Sequence, residues 1–302
     1  MTDSGQNNHE QVTSNSKQTI ASDTNQRSIA PQLENLSTGL QWVNQLEQQQ
    51  HWQALETGCR QAIPFHPNVA RFHHLLGDAL LALQRWQEAV EAYQNAIALE
   101  PNFSWSHNNL ADAFLQLQRW EEAVEAYQNA IALEPNFFWS HNNLADALFQ
   151  LQRWQEAAEA YQHAIALKDD FPWSHYNLGE VLSQLEQWEP ASQAYQTALE
   201  IDPNLPNGWE KLADAIQEYD PLSERALQAY QQAIQENPND IELIQKTINL
   251  FPNQVEFYLA LSEAFVRNND PDQALVVCRM ALNIQPHYEK TLRLENQLLA
   301  NS

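Results

Sequence analysis

Residues Ser104 to Phe137 read SWSHNNLADAFLQLQRWEEAVEAYQNAIALEPNF, and residues Phe138 to Phe171 read FWSHNNLADALFQLQRWQEAAEAYQHAIALKDDF. The two strings agree at 25 of 34 positions. A repeat of this length overrides any estimate of domain number from chain length, because each unit is one supersecondary piece that buries its apolar face only against its neighbours. The period runs on in both directions. Pro67, Pro101 and Pro135 are spaced by 34 residues, Asp169 takes the next place and Pro203 the one after it.

Inside each unit the apolar residues keep a helical period, as in Leu110, Phe114 and Leu117, then Ala123, Tyr127, Ala130 and Ile131. Each unit is therefore expected to be a pair of helices, with an inner turn near Gln118 and Arg119. Pro135 ends the second helix, which it cannot continue. Small residues recur where the two helices must cross: Gly77, Ala111, Ala145, Gly179 and Ala213 in the first, Ala89, Ala123, Ala157, Ala191 and Ala226 in the second.

This order of an apolar residue, a small residue, an aromatic, three alanine-like positions and a closing proline resembles the tetratricopeptide repeat family, in its bacterial type. In the unit from Ala70 the positions are Leu76, Gly77, Leu80, Ala89, Tyr93, Ala96 and Pro101. The resemblance covers residues 36 to 238 and resumes from 255 to 288. It implies an all-α, right-handed superhelical solenoid of antiparallel helix pairs. It also implies a protein-binding scaffold, although one such fold serves many partners.

Outside the regular units the pattern changes. Residues 1–35 are rich in Gln, Asn, Ser and Thr, a composition that cannot offset the entropy of ordering, and are expected to form a disordered polar tail. Six helix pairs are expected over 36–238, the first of them a divergent cap with Trp42 at the apolar site and Leu55 in place of an alanine. Pro238 is followed by Pro252, too soon for a whole unit, so residues 239–254 should hold a truncated repeat with a single helix near 240–251. A further unit over 255–288 and a capping helix over 289–302 complete the plan.

Composition limits the function. The chain has 302 residues, and 39 Asp plus Glu against 15 Lys plus Arg give a formal charge of −24. Binding to nucleic acid is not expected, because such affinity rests on Lys and Arg displacing counterions. No apolar run approaches the ~18 residues of a membrane span. The opening MTDSGQNNHEQVTSNS has neither the basic start nor the apolar centre of an export signal. With Cys59 and Cys278 as the two cysteines, a cytoplasmic location is expected. Six glycines, and no HExxH, CxxC, GxSxG or P-loop string, leave no assembled catalytic chemistry, so neither an enzyme nor a cofactor is expected.

Trp52, Trp86, Trp120, Trp154 and Trp188 all fall just after an inner turn, where a recurring aromatic is expected to pack repeat on repeat. Trp105, Trp139 and Trp173 lie second in their units, ahead of the core positions, and are candidates for contact with a partner. Residues three and four apart share a helix face, so one side of the first helices carries Trp105, Asn108, Asn109, Asp112 and Gln116. The same side then offers Trp139, Asn142, Asn143, Asp146 and Gln150, followed by Trp173, Tyr176, Asn177, Glu180 and Gln184. Asparagine both donates and accepts, so this row is suited to the backbone of an extended chain.

Asn109, Asn143 and Asn177 resemble the asparagine ladder in the repeats of O-linked N-acetylglucosamine transferases, which is associated with holding protein substrates. The basic clamp for acidic carboxy-terminal tails is not reproduced, since the groove offers chiefly Lys211 against Asp112, Asp146, Glu180 and Asp214. A neutral to basic protein or extended peptide is therefore the expected partner. His107, His141 and His175 stand one repeat apart, ~8 to 10 Å, too far to share one ion. They are expected to be buried and hydrogen-bonded, with no metal. Asp270-Pro271-Asp272 falls at an inner turn and is read as turn chemistry.

Two other functions fit the same pattern. Runs similar to WSHNNLADAL and QRWEEAVEAY stand beside glycosyltransferase or sulfotransferase domains in bacterial proteins, so the chain could be a separately encoded substrate-presenting subunit. An assembly chaperone for a membrane complex is the third.

Overall fold

In the computed structural model, residues 33–301 are described, and the polar stretch before Leu33 lies outside them. The disordered tail expected over 1–35 lies outside the described residues as far as residue 32, and residues 33–35 are part of the fold. Leu33 is fully buried and its carbonyl accepts from His66 Nε2 at 2.9 Å, while Asn35 caps the first helix by accepting from the Thr38 amide.

Sixteen helices and no strand are found among the described residues. They run as antiparallel pairs: α1 (Leu36–Gln48) with α2 (Trp52–Ala62), α3 (Ala70–Ala82) with α4 (Trp86–Leu99), α5 (Ser104–Gln116) with α6 (Trp120–Leu133). The pairs continue as α7 (Phe138–Gln150) with α8 (Trp154–Leu167), α9 (Pro172–Gln184) with α10 (Trp188–Ile201), α11 (Gly208–Tyr219) with α12 (Glu224–Glu236). α13 (Ile241–Leu250) is single, and α14 (Val255–Arg267), α15 (Pro271–Ile284) and α16 (Glu289–Asn301) close the chain. Each helix packs on the next, and the first helices of successive units also touch, α3 on α5 and α5 on α7. The molecule is an all-α solenoid.

Small and aromatic residues set the spacing within a pair. Tyr93, Tyr127, Tyr161, Tyr195 and Tyr230 are fully buried, one on each second helix from α4 to α12. The Tyr93 ring lies so close to α3 that a Cβ added at Gly77 would fall 2.5 Å from it. Ala89, Ala123, Ala157, Ala191 and Ala226 are buried without trace of exposure, so the crossing of the helices leaves no room beyond a methyl.

The inner turns share one backbone solution. Gln84, Gln118 and Gln152 adopt left-handed φ of 57 to 60°, and the residue after each donates its amide back to the last turn of the first helix, as Arg119 does to Phe114 O at 2.9 Å. The tryptophan that follows begins the second helix, and it stays half-buried. Trp154 rests on Phe149 of its own pair at 5.0 Å between ring centroids, so this aromatic packs within a unit as well as on the core.

Regular spacing changes after α10. The turn into α12 holds Asp220 and Pro221, with Leu222 left-handed and Ser223 capping the helix through Oγ. Asp240 caps α13 by accepting from the Leu243 amide at 2.9 Å, and α13 packs chiefly on α14. Asp270 likewise caps α15, accepting from the Gln273 amide at 3.0 Å.

Candidate functional site: the first-helix face

Three tryptophans stand out on the surface. Trp105, Trp139 and Trp173 sit in the first turn of α5, α7 and α9 and are 44%, 43% and 38% exposed. Each is braced on one side. Trp105 leans on Phe137 at 4.7 Å and Trp139 on Phe171 at 5.2 Å, both phenylalanines being the residues that precede the next first helix. Trp173 meets Tyr176 edge-on at 5.5 Å. Phe138 and Phe171 join the strip at 5.3 Å, and the Lys168 ammonium lies 5.6 and 5.7 Å from their centroids.

Beneath the tryptophans runs a hydrogen-bonded row linking each repeat to the one before. Asn109 Nδ2 donates to Asp78 Oδ1 at 2.9 Å, Asn143 Nδ2 to Asp112 Oδ1 at 3.2 Å and Asn177 Nδ2 to Asp146 Oδ1 at 3.4 Å. The same three carboxylate oxygens accept a buried phenol, from Tyr93, Tyr127 and Tyr161 in turn. Each asparagine thus commits one N–H to the scaffold, and Asn109 and Asn143 also accept on Oδ1 from Asn108 Nδ2 at 3.5 Å and Asn142 Nδ2 at 3.4 Å. Sequence spacing placed the asparagines and acids on one face, but the tyrosine partner came from the other helix and was missed.

Low hydration shows in the ionisation of the acids. Burial pushes Asp112 up, opposed by the hydrogen bonds from Tyr127 and Asn143, and pushes Asp146 up to about 6 against Tyr161 and Asn177. Burial, then the adjoining carboxylates, drives Tyr127 and Tyr161 far above the ordinary phenol value.

Other residues of the face have different places. Asn108 and Asn142 are only 6% and 5% exposed, and their Oδ1 atoms accept from the buried Ser140 and Ser174 hydroxyls at 2.7 Å. They join neighbouring repeats and are not open to a partner. Tyr176, at the equivalent place on α9, is also buried. His74 holds that place on α3, with Nδ1 3.0 Å from Ser106 Oγ and Nε2 3.3 Å from Asp78 Oδ2; burial depresses its pKa. The serine two residues into each following helix is the signal that could have revealed this joint. Gln116, Gln150 and Gln184 are exposed.

Charges of both signs close the far end of the face. Lys211 Nζ lies 2.7 Å from Glu180 Oε1. Lys246, which sequence spacing did not single out, reaches back from α13 to Glu210 at 3.1 Å and Asp214 at 2.7 Å. Desolvation acts to lower Lys246, but the hydrogen bonds and charge of Asp214 and Glu210 outweigh it and hold the ammonium above its ordinary value.

The histidine expectation needs correction. His107, His141 and His175 are hydrogen-bonded but only half-buried, each with Nε2 2.8 to 2.9 Å from the carbonyl of Pro101, Pro135 or Asp169. A carbonyl only accepts, so Nε2 carries the proton. Their position reaches back to the end of the preceding helix pair, near solvent, and does not enter the core.

An all-helical repeat scaffold with one aromatic and acidic face is the class these features define. The family description "TPR repeat" matches residues 77–118, 111–152 and 145–186, and "Tetratricopeptide repeat" matches 172–205. Tetratricopeptide repeats therefore occupy residues 77–205 of the solenoid. The C-terminal part of a TPR repeat-containing protein from Cytophaga hutchinsonii is similar at 14% identity and a TM-score of 0.60, over 84% of this chain and 98% of that one. MamA is similar at 20% identity and a TM-score of 0.52, over 55% of this chain and 97% of MamA. A MamA fragment beginning at its residue 41, from Desulfovibrio magneticus, gives 16% and 0.52 over 55% and 94%. At such identities the likeness is one of fold. No curated protein matches the sequence. Among the described residues, no helix is long and apolar enough to cross a membrane.

Proposed function

We propose that the chain is a non-catalytic adaptor whose first-helix face binds a protein, or an extended peptide, of neutral to basic character. The observation that supports it most is the row of Trp105, Trp139 and Trp173, each exposed on one side and braced on the other. Apolar surface of this size is costly to leave in water, and three equivalent copies mark an interaction strip. Bracing reduces the entropy a side chain loses when a partner settles on it. A net charge of −24 disfavours acidic partners at long range.

The test is capture of partners by a variant with Trp105→Ala, Trp139→Ala and Trp173→Ala. Truncating an interface aromatic can cost upward of ~2 kcal/mol, so capture should fall more than about tenfold. Circular dichroism should remain that of a helical protein, because the tryptophans lie outside the buried core. Undiminished capture by a folded triple variant would assign binding to another surface.

A further inference from the structure

The tryptophan strip repeats at the spacing of the solenoid, and that spacing restricts what can lie along it. Resting on the proposed groove binding, we infer that the occupant is a cationic segment in the polyproline II conformation, with proline or another apolar residue at every third position.

Register is the first argument. Touching first helices of successive repeats stand ~8 to 10 Å apart; Trp105 and Trp139 hold the same place on two that touch, α5 and α7, and Trp173 holds it on α9, the first helix of the next repeat. A polyproline II chain advances ~9.3 Å in three residues and returns to the same side. One ring of the ligand would therefore meet each indole in turn. A β-strand covers a similar length in three residues, but its side chains alternate faces, so every other contact would point away.

Backbone chemistry is the second argument. An α-helical ligand could present residues at a comparable spacing, but its N–H groups are spent internally. Polyproline II leaves the backbone unpaired. The face offers acceptors for such donors. Asn177 Oδ1 and Asp112 Oδ2 take no hydrogen bond from the described residues, and Asn109 Oδ1 and Asn143 Oδ1 accept only one long bond each, from Asn108 at 3.5 Å and Asn142 at 3.4 Å, which leaves each a second lone pair.

Charge is the third. Acids at Asp78, Asp112 and Asp146 follow the tryptophans along the face, in a chain of net charge −24. The strip already hosts one cation of its own, Lys168, over Phe138 and Phe171. Lysine or arginine between the prolines of a ligand would meet the same rings and carboxylates.

The probe is a fluorescein-labelled peptide of repeated Pro-Ala-Lys triplets, followed by anisotropy on addition of the full chain. A peptide of equal composition with its prolines moved out of the three-residue phase should bind about tenfold more weakly or worse, and a Pro-Ala-Glu version should not bind. Equal affinity for the phased and unphased peptides, or no binding of the phased one, would overturn the inference. Binding of the phased peptide undiminished in the folded triple tryptophan variant would overturn it too. If the phased peptide fails while partner capture still depends on the tryptophans, the adaptor reading stands and only the ligand conformation is wrong. If capture is independent of them, both fall.

Discussion

Asp146 carries two hydrogen bonds on one oxygen, from Tyr161 and Asn177, in surroundings dry enough to raise its pKa from 3.8 to about 6. A carboxyl that holds its proton more tightly when folded stabilises the fold fully below the unfolded value. That contribution is lost as pH rises through the folded one. Unfolding free energy should therefore decline between about pH 4 and pH 6. In Asp146→Asn the decline should flatten, because an amide oxygen can still accept from both partners and no longer ionises. Denaturant titrations across that window would check it, and an unchanged slope in the variant would show that Asp146 is not the group responsible. The exposure of Trp105, Trp139 and Trp173 was legible in the sequence, since their place falls ahead of the core period. The burial of Asn108 and Asn142 was not. It depends on Ser140 and Ser174, which arrive from the next repeat, and a one-helix face diagram contains no neighbour.

At the scale of the helix pair, the small residues carry the argument. Ala123 on α6 is wholly buried, and the equivalent alanines of the other pairs are buried to the same degree. Ala123→Leu adds three carbons where the helices cross and should cost about 1 to 3 kcal/mol through overpacking. In a solenoid, stability is a sum of unit and nearest-neighbour terms. Hydrogen exchange should therefore quicken in α5 to α8 and stay near wild type in α14 to α16. Uniform loosening along the chain, or none, would contradict the crossing assigned to Ala123. The helix pairs themselves were readable from the 34-residue period, because proline, small and apolar places recur in a fixed order. The turn conformation was less readable. Gln84, Gln118 and Gln152 take left-handed φ without being glycine, so the fixed turn leaves no glycine signature in the sequence.

Across the whole molecule the regular series meets a weak joint at α13. This helix packs chiefly on α14, and its link back to the regular pairs includes Lys246 on Glu210 and Asp214, together with Phe251 against Tyr230 at 6.1 Å. Lys246 is partly exposed, so its ion pairs are screened and contribute modestly, on the order of 1 kcal/mol or less. A solenoid unfolds as one body only while each interface is strong enough to couple its neighbours. The block from α14 to α16 should therefore open at lower free energy than α5 to α10, where pair after pair is joined by the Tyr, Asp and Asn bonds. Native-state hydrogen exchange would show two classes of amide, with the change between them near α13. Lys246→Ala should lower the C-terminal class further and leave α5 to α10 unaffected, since no contact of Lys246 extends beyond α11 and α12 toward those pairs. A single exchange free energy shared by both blocks would show that one unpaired helix transmits cooperativity as well as a complete repeat does.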